Sequence, residues 1–554
     1  MEGQDKVCVI GLDGATLSLV GPWAQAGELP VLRGLMEEGV TGILRSTIPP
    51  ITPAAWTSFA TGKNPGKHGV FDHVYRREGS YEVEPVSSRL CAAKTLWRLI
   101  SEGGKKVGVI NVPLTYPPQE VNGFLVTGMF TPSDRVEFTY PPSLAGELKR
   151  EVGGYMVGGT RPKEDYQRFL DQLYVRQKNR METALYLMRR YDCDFFMVVF
   201  NGTDLVQHKF WKFMDEKHPQ HDPRGGERYR QAILEFYRQA DEDLGRIIEA
   251  LGEEVTLVIM SDHGAGVASR YFVVNNWLLR EGFLRLKDGL LTRLKYHLFR
   301  GGYTPLSILN ALSRLGFGIA TRAFAMGNKP GLLRKAFLSW LDIDWSETMA
   351  YALGHLYGQI YLNVEGREPQ GKVRPGREYE ELREQAIRSL AAATEDDSGE
   401  KIVGDIYRKE EIYSGPYIDR APDILFALRD RRSMALAQQQ FSSHLLFDPA
   451  IRVSASHRMG GLLMMRGPGV RKGAELEGTR IIDLAPTILY ILGLDIPSDM
   501  DGRVLEEAFE ESFLTRRRIR YGPPSPLGAG LDSGFDEEES QEIRDRLRGL
   551  GYLS

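Results

Sequence analysis

Cysteine is scarce in this chain. Cys8, Cys91 and Cys193 lie far apart in 554 residues, and no Cys-x-x-Cys pair occurs. That argues against a disulfide framework and a thiolate zinc site, and fits a reducing compartment. An excess of one charge sign is lacking too. Lysine and arginine number 70 against 74 acidic residues, for a net charge of −4. Without a basic excess there is no electrostatic case for binding a nucleic-acid polymer. No apolar run reaches about eighteen residues, so no membrane-spanning helix is expected. The opening residues MEGQDK lead directly into VCVIGLDG, with no basic stretch followed by an apolar one. A secretory signal is therefore not expected, and the chain reads as soluble and cytoplasmic.

What is present is ample apolar material, 42% of the residues. That supports one large domain with an insertion, or two to four domains by length alone. The most informative stretch is Val255–Gly264, VTLVIMSDHG. Its β-branched run reads as a strand buried on both faces, broken by a turn at its carboxyl end. Ligands of open α/β sheets bind at such ends. Asp262 and His263 offer there the oxygen and nitrogen donors that suit zinc or manganese. Lys6–Leu12 followed by Asp13-Gly14 repeats the pattern. Asp194–Phe200 is another buried strand, and after it Asp204 and His208 stand four residues apart. On a helix those two share a face and can hold one metal. His457 precedes the apolar strand Leu462–Met465. Taken singly, Asp13 and Asp262 also read as capped turns, Asp204 and His208 as the commoner surface pair on a helix, and His457 as a solvent-facing loop histidine.

Between the first two strands, Pro30–Gly39 reads as a helix and Val40–Leu44 as a strand. Pro53 suits the first position of a helix, which makes Thr52 its N-cap. A hydroxyl there sits among free amide donors, a suitable place for a nucleophile that carries a phosphoryl group. Further strands are expected at Lys106–Asn111, Phe124–Gly128, Gln359–Asn363 and Asp423–Leu428. Helices are expected at Ala92–Glu102, Asp165–Tyr191, Gly226–Gly252, Glu378–Ala393 and Asp483–Leu494. This alternation argues an α/β fold, a mostly parallel sheet with helices on both faces. His218 and His221 lie in a polar stretch and read as solvated. Residues 281–345, rich in Leu, Arg and Gly, read as a helical insertion serving as lid or subunit contact. Residues 511–554 read as a surface arm open to a homo-oligomer contact. The catalytic domain is then 1–280 together with 346–510.

The motifs GLDG, TPAAWTSFATGKNPGKHGVFDH, GTDLVQH, MSDHG and SHRMGGLLMMRGPG occur in this order across most of the chain. In that order they resemble the type I phosphodiesterase/nucleotide pyrophosphatase branch of the alkaline phosphatase superfamily. The resemblance implies an alkaline-phosphatase-like fold and two divalent ions, zinc by the match and manganese as the other choice. By that match one ion takes Asp204, His208 and His457. The other takes Asp13, Asp262 and His263, with Thr52 bridging toward it as nucleophile. Two such ions can clamp the attacking and leaving oxygens of an in-line displacement at phosphorus. The implied reaction is hydrolysis of a small-molecule phosphodiester or pyrophosphate through a phosphothreonine. Phosphomonoesterase, mutase or phosphotransferase chemistry on the same residues is the alternative, as is an idle, metal-stabilised binding protein. The chain departs from the family where many members carry Phe-Pro-Asn-His after the nucleophile; here Pro53-Ala54-Ala55-Trp56 stands. The Asn that steadies a phosphoryl oxygen is thus absent there. Lys63, Asn111 and Asn201 are open to substituting for it, and Arg458 beside His457 is a further candidate for meeting a phosphate oxygen. The Cys/Ser-x-Pro-x-Arg context of sulfatases does not occur at Thr52.

Overall fold

A computed structural model describes residues 5–157, 165–252, 254–305, 307–308, 336–395, 398–437, 441–450, 453–528 and 532–550. Nine strands form the principal sheet: β1 (Lys6–Leu12), β2 (Val40–Arg45), β3 (Val107–Ile110), β4 (Gly123–Val126), β5 (Thr139–Tyr140), β6 (Phe195–Phe200), β7 (Val255–Met260), β8 (Gly460–Arg466) and β9 (Ala474–Leu476). Their spatial order is β9-β2-β8-β7-β1-β6-β3-β4-β5. The five central strands, β7 to β4, run parallel. Antiparallel pairings attach β8 and β5 at either side of them.

Alternation along β1 divides the interior in two. Val7 and Val9 join one apolar cluster with Trp56, Phe59, Ile488 and Leu489. Cys8, Ile10 and Leu12 join the other with Leu185, Phe210, Phe236 and Leu244. Both faces of the parallel strands are thus covered by helices, which is why those strands read as continuous apolar runs. Among the described residues no helix is long and apolar enough to cross a membrane.

The strands between β7 and β8 do not all join this sheet. Residues 270–273, 354–356, 433–437 and 447–449 form one four-stranded sheet, and 350–352, 358–362, 403–408 and 424–428 form another. They share a separate core of Phe272, Trp277, Ile360, Ala386 and Phe426. The segment 281–345 set apart by composition lies between strands of this second layer, whose members at 358–362 and 424–428 the sequence shows as strands without saying which sheet they join. Strand pattern reports burial and not which sheet a strand joins. Within 281–345, Leu290–Arg300 is a helix, and 309–335 lies outside the described residues.

The C-terminal arm folds back on its own chain. Helix Glu537–Leu550 buries Ile543 and Leu547 in the main core. Arg546 donates to the carbonyls of Thr131 and Pro132. The amphipathic end that the sequence left open to another subunit meets its own domain. His218 also departs from its solvated reading: it is buried, and its Nε2 lies 3.1 and 3.0 Å from the carbonyls of Ala268 and Ser454.

The second layer has its own electrostatic anchor. The Asp423 carboxylate is fully buried and takes two bonds from Arg367, at 2.9 and 2.6 Å, plus the amide of Leu362 and the hydroxyl of Tyr379. Burial alone would raise its pKa, but Arg367 and then Lys409 outweigh burial and hold it down to about 2. A depressed carboxyl stabilises the fold fully above its unfolded value, roughly 3.9. That contribution is lost as pH falls through about 2. Asp423→Ala, which takes the buried carboxylate from Arg367 and Lys409 and leaves Arg367 with Glu368 and the Leu362 carbonyl, is expected to cost about 3 kcal/mol in urea denaturation at neutral pH. The deficit relative to wild type should shrink as pH drops toward 2.

Candidate metal centre

The geometry of the site follows from strand register. Leu12 of β1 lies opposite Phe200 of β6, and Gly11 lies opposite Met260 of β7. Three chains therefore leave the sheet side by side at their carboxyl ends, carrying Asp13, Asp204 and Asp262. Asp204 and His208 lie on helix α2 (Gly202–Met214), which starts directly after β6. His457 arrives from far along the chain on a two-stranded ribbon, in which Ala455–Arg458 pairs with Gly264–Val267 and Ala265 faces His457. Thr52 opens helix α1 (Thr52–Thr61), with Ile51 as N-cap, one residue earlier than the sequence placed it. Ends of helices shift by a residue with the definition used, and Thr52 keeps its place at the positive end of the helix dipole.

All seven residues converge in a buried space. Thr52 Oγ1 lies 3.3 Å from His263 Nε2. His263 Nε2 is 3.6 Å from Asp13 Oδ1 and 3.4 Å from Asp262 Oδ2. Asp204 Oδ1 is 3.2 Å from His208 Nε2 and 3.8 Å from His457 Nε2. The His263 and His457 rings stack at 3.5 Å. Two sets of ligand-type atoms gather within 4.8 Å: Asp204, His208 and His457 in one, Asp13, Asp204 and His263 in the other. Asp204 belongs to both, so it stands between the two halves of the site.

Each imidazole is oriented from behind by a backbone carbonyl. His208 Nδ1 faces Ala455 O at 2.6 Å, His457 Nδ1 faces Pro50 O at 2.9 Å, and His263 Nδ1 faces Gly264 O at 3.0 Å. A carbonyl only accepts, so Nδ1 carries the proton, and Nε2 of a neutral ring presents its lone pair to the site. The Asp13–Ala15 turn is tied down in the same way. Thr203 Oγ1 donates to Asp13 O, Gln207 Nε2 to Gly14 O and Ser261 Oγ to Ala15 O. Gly14 has φ +67, and a Cβ there would stand 2.7 Å from Asp204 Oδ1. Only glycine allows the turn to approach the carboxylate so closely.

The electrostatics are those of a cation site. Burial, followed by Asp262 and Asp204, pushes the Asp13 carboxyl far above the carboxylate range. Asp262 is likewise raised, chiefly by burial. Burial opposes ionisation of Asp204 as well, but His208, His457 and His263 together hold it low. Asp13 Oδ1 and Asp262 Oδ2 are buried with no hydrogen-bond donor among the described residues. Buried carboxylate oxygens without donors, beside three imidazole lone pairs, fit divalent ions of the zinc or manganese type.

The four residues weighed as phosphate contacts are placed differently. Lys63 is buried and turned away, its ammonium on Asp499 and Ser525. Asn111 is spent inside the fold, donating to Val199 O and accepting from the Tyr155 hydroxyl. The Arg458 guanidinium serves the carbonyls of Val267, Arg431 and His457. Asn201 stands at the N-cap of α2, three residues from Asp204, with its Oδ1 buried and without a donor among the described residues. Sequence reasoning also missed the carbonyls of Ala455 and Pro50, which leave no side-chain signal, and the neighbouring buried group Asp72, His73 and His355.

Repulsion among the buried carboxylates gives a two-sided prediction. In excess chelator, Asp13→Asn should be more stable than wild type by at least about 1 kcal/mol at neutral pH, because the cost of burying an acidic group beside Asp262 and Asp204, which the raised pKa reflects, is removed. With zinc the order should reverse, because the wild-type chain gains binding energy that the variant lacks. Thermal melts with and without metal decide it.

The family model for type I phosphodiesterase/nucleotide pyrophosphatase matches residues 7–442. Among solved structures, phosphonoacetate hydrolase from Sinorhizobium meliloti 1021 in complex with phosphonoformate aligns with TM-score 0.53 at 15% identity, covering 88% of this chain and 95% of that one. Murine ectonucleotide pyrophosphatase/phosphodiesterase 5, as an inactive variant in complex with AMP, aligns with TM-score 0.50 at 14% identity, covering 91% and 100%. No curated protein sequence matches. At such identities the structures speak for the fold, while the family model speaks for the chain. The chain belongs to the type I phosphodiesterase/nucleotide pyrophosphatase family and is a phosphoric ester hydrolase of alkaline-phosphatase-like fold.

Proposed function

We propose that the chain hydrolyses small-molecule phosphodiester or pyrophosphate bonds through a phosphothreonine on Thr52. The observation that carries this reading is the placement of the Thr52 hydroxyl. It lies 3.3 Å from His263 Nε2, at the start of α1, inside the ring of carboxylates and imidazoles. Two divalent ions, zinc or manganese, held by Asp13, Asp204, His208, Asp262, His263 and His457, would supply Lewis acidity and lower the pKa of the Thr52 hydroxyl. The residues themselves do the positioning. His457 holds Pro50 O, and the Tyr413 hydroxyl of the second layer donates to Ile48 O, so the loop entering Thr52 is fixed from two sides. The N-terminus of α1 favours the negative charge of the phosphoryl group transferred to Thr52. Thr52 Oγ1 bonds to phosphorus as the bond to the leaving oxygen breaks, and the leaving alcohol or phosphate takes up a proton. Water then attacks phosphorus, releasing the monoester and restoring the hydroxyl. The inactive variant of the murine protein named above holds AMP, a small phosphoric ester of the class this reading requires.

The test is hydrolysis of bis-p-nitrophenyl phosphate against p-nitrophenyl phosphate by wild type and Thr52→Ala, with zinc or manganese restored after chelation. Metal-dependent diester turnover is expected, falling at least about a thousandfold in Thr52→Ala while bound metal persists. Diester turnover that survives Thr52→Ala would remove the phosphothreonine from the reading. A preference for the monoester would replace diesterase with phosphatase.

A further inference from the structure

Among the described residues, one group of ligand-type side chains outside the seven above closes on itself. Asp72, His73 and His355 are all buried, and their donor atoms lie within 4.8 Å of one another. They come from two separately built parts of the molecule. Asp72 and His73 follow the loop after α1, whereas His355 lies on strand Gly354–Leu356 of the second layer. The two imidazole centroids are 5.5 Å apart.

The carboxylate is prepared as a ligand is. Asp72 Oδ1 accepts from the backbone amide of His73 at 2.6 Å and lies 3.2 Å from His73 Nδ1. Asp72 Oδ2 accepts from the side-chain amide of Gln359 at 2.7 Å, and Gln359 lies beyond His355 on the adjoining strand. The groups that chiefly offset the buried Asp72 charge are His73, through its ring and backbone amide, and the His355 imidazole. Gly354 makes room for the arrangement. It has φ +91, and a Cβ there would stand 2.4 Å from Gln359 Nε2 and 2.6 Å from Asp72 Oδ2. Carboxylate and histidine ligands held by outer hydrogen bonds are how proteins fix a metal-binding geometry. Two nitrogens and one oxygen suit zinc or manganese over magnesium or calcium. His355 also lies within electrostatic reach of His208, which puts the group beside the principal centre.

We propose that Asp72, His73 and His355 form a third divalent-cation site, of zinc or manganese type, which ties the loop after α1 to the second layer at the edge of the catalytic centre. The ion would join two segments that pack against each other with few covalent constraints.

Crystals of the full chain soaked in zinc chloride, with anomalous maps at the zinc edge, test this without altering the protein. A peak enclosed by Asp72, His73 and His355, in addition to density among Asp13, Asp204, His208, Asp262, His263 and His457, is the expected result. Mass-spectrometric metal analysis of dialysed protein should give three zinc equivalents for wild type and two for His355→Ala. A variant that has merely failed to fold would lose all three, so retention of two is itself the folding control. Density at the principal centre with none between His73 and His355, and two equivalents in both proteins, would overturn the third site and leave the proposed function standing. Zinc at neither place would overturn both.

Discussion

Three buried carboxylates that repel one another are the constraint on which this structure turns. Asp13, Asp204 and Asp262 reach the same small volume because β1, β6 and β7 run parallel and in register. Nothing in the apolar core benefits from that crowding. Burial and mutual repulsion push Asp13 and Asp262 toward the neutral form. The fold accepts this cost because the flanking sheet is well covered on both faces, and because the turn bearing Asp13 is tethered at three successive carbonyls. A site so built is complementary to a concentrated positive charge. The same logic serves a reaction in which negative charge gathers at phosphorus.

The second layer explains how a cation-binding sheet edge becomes an enclosed site. Its strands are inserted between β7 and β8, so the chain leaves the catalytic edge after His263 and returns with His457. The excursion brings Tyr413 against the loop that carries Thr52, and His355 and Gln359 against Asp72. Its own rigidity comes from a separate core and from the buried pairing of Asp423 with Arg367 and Lys409. Thr52 is thereby held between two bodies that each fold around their own apolar centre. Insertions of this kind let a common sheet edge serve different substrates.

The residues that were misplaced from sequence share a cause. Lys63 stands in a glycine- and proline-rich loop close to Thr52, so nearness along the chain made it a phosphate contact. Its true partners, Asp499 and Ser525, lie more than four hundred residues on. Arg458 adjoins His457, yet adjacent residues on a strand face opposite ways, and its guanidinium serves carbonyls at the rim of the ribbon. Asn111 follows a strand end as Asp13 does, but its φ of +61 turns its side chain back to Val199 and Tyr155. His355 had no motif around it. A lone histidine on a short strand acquires meaning only from what packs beside it.

By itself, the sequence determined the parallel sheet and the residues at its carboxyl edge. Continuous apolar strands followed by Asp-Gly, Asp-x-x-x-His or Asp-His-Gly carry both signals locally, because burial period and turn chemistry are properties of short segments. Helix α1 beginning at Thr52 was legible for the same reason, through Pro53. Tertiary structure alone decided which of the intervening strands left that sheet, which carbonyls orient the three imidazoles, where the cations of the Thr52 loop point, and that the C-terminal helix closes on its own domain. Those outcomes depend on pairings between segments hundreds of residues apart, and no local pattern encodes the partner.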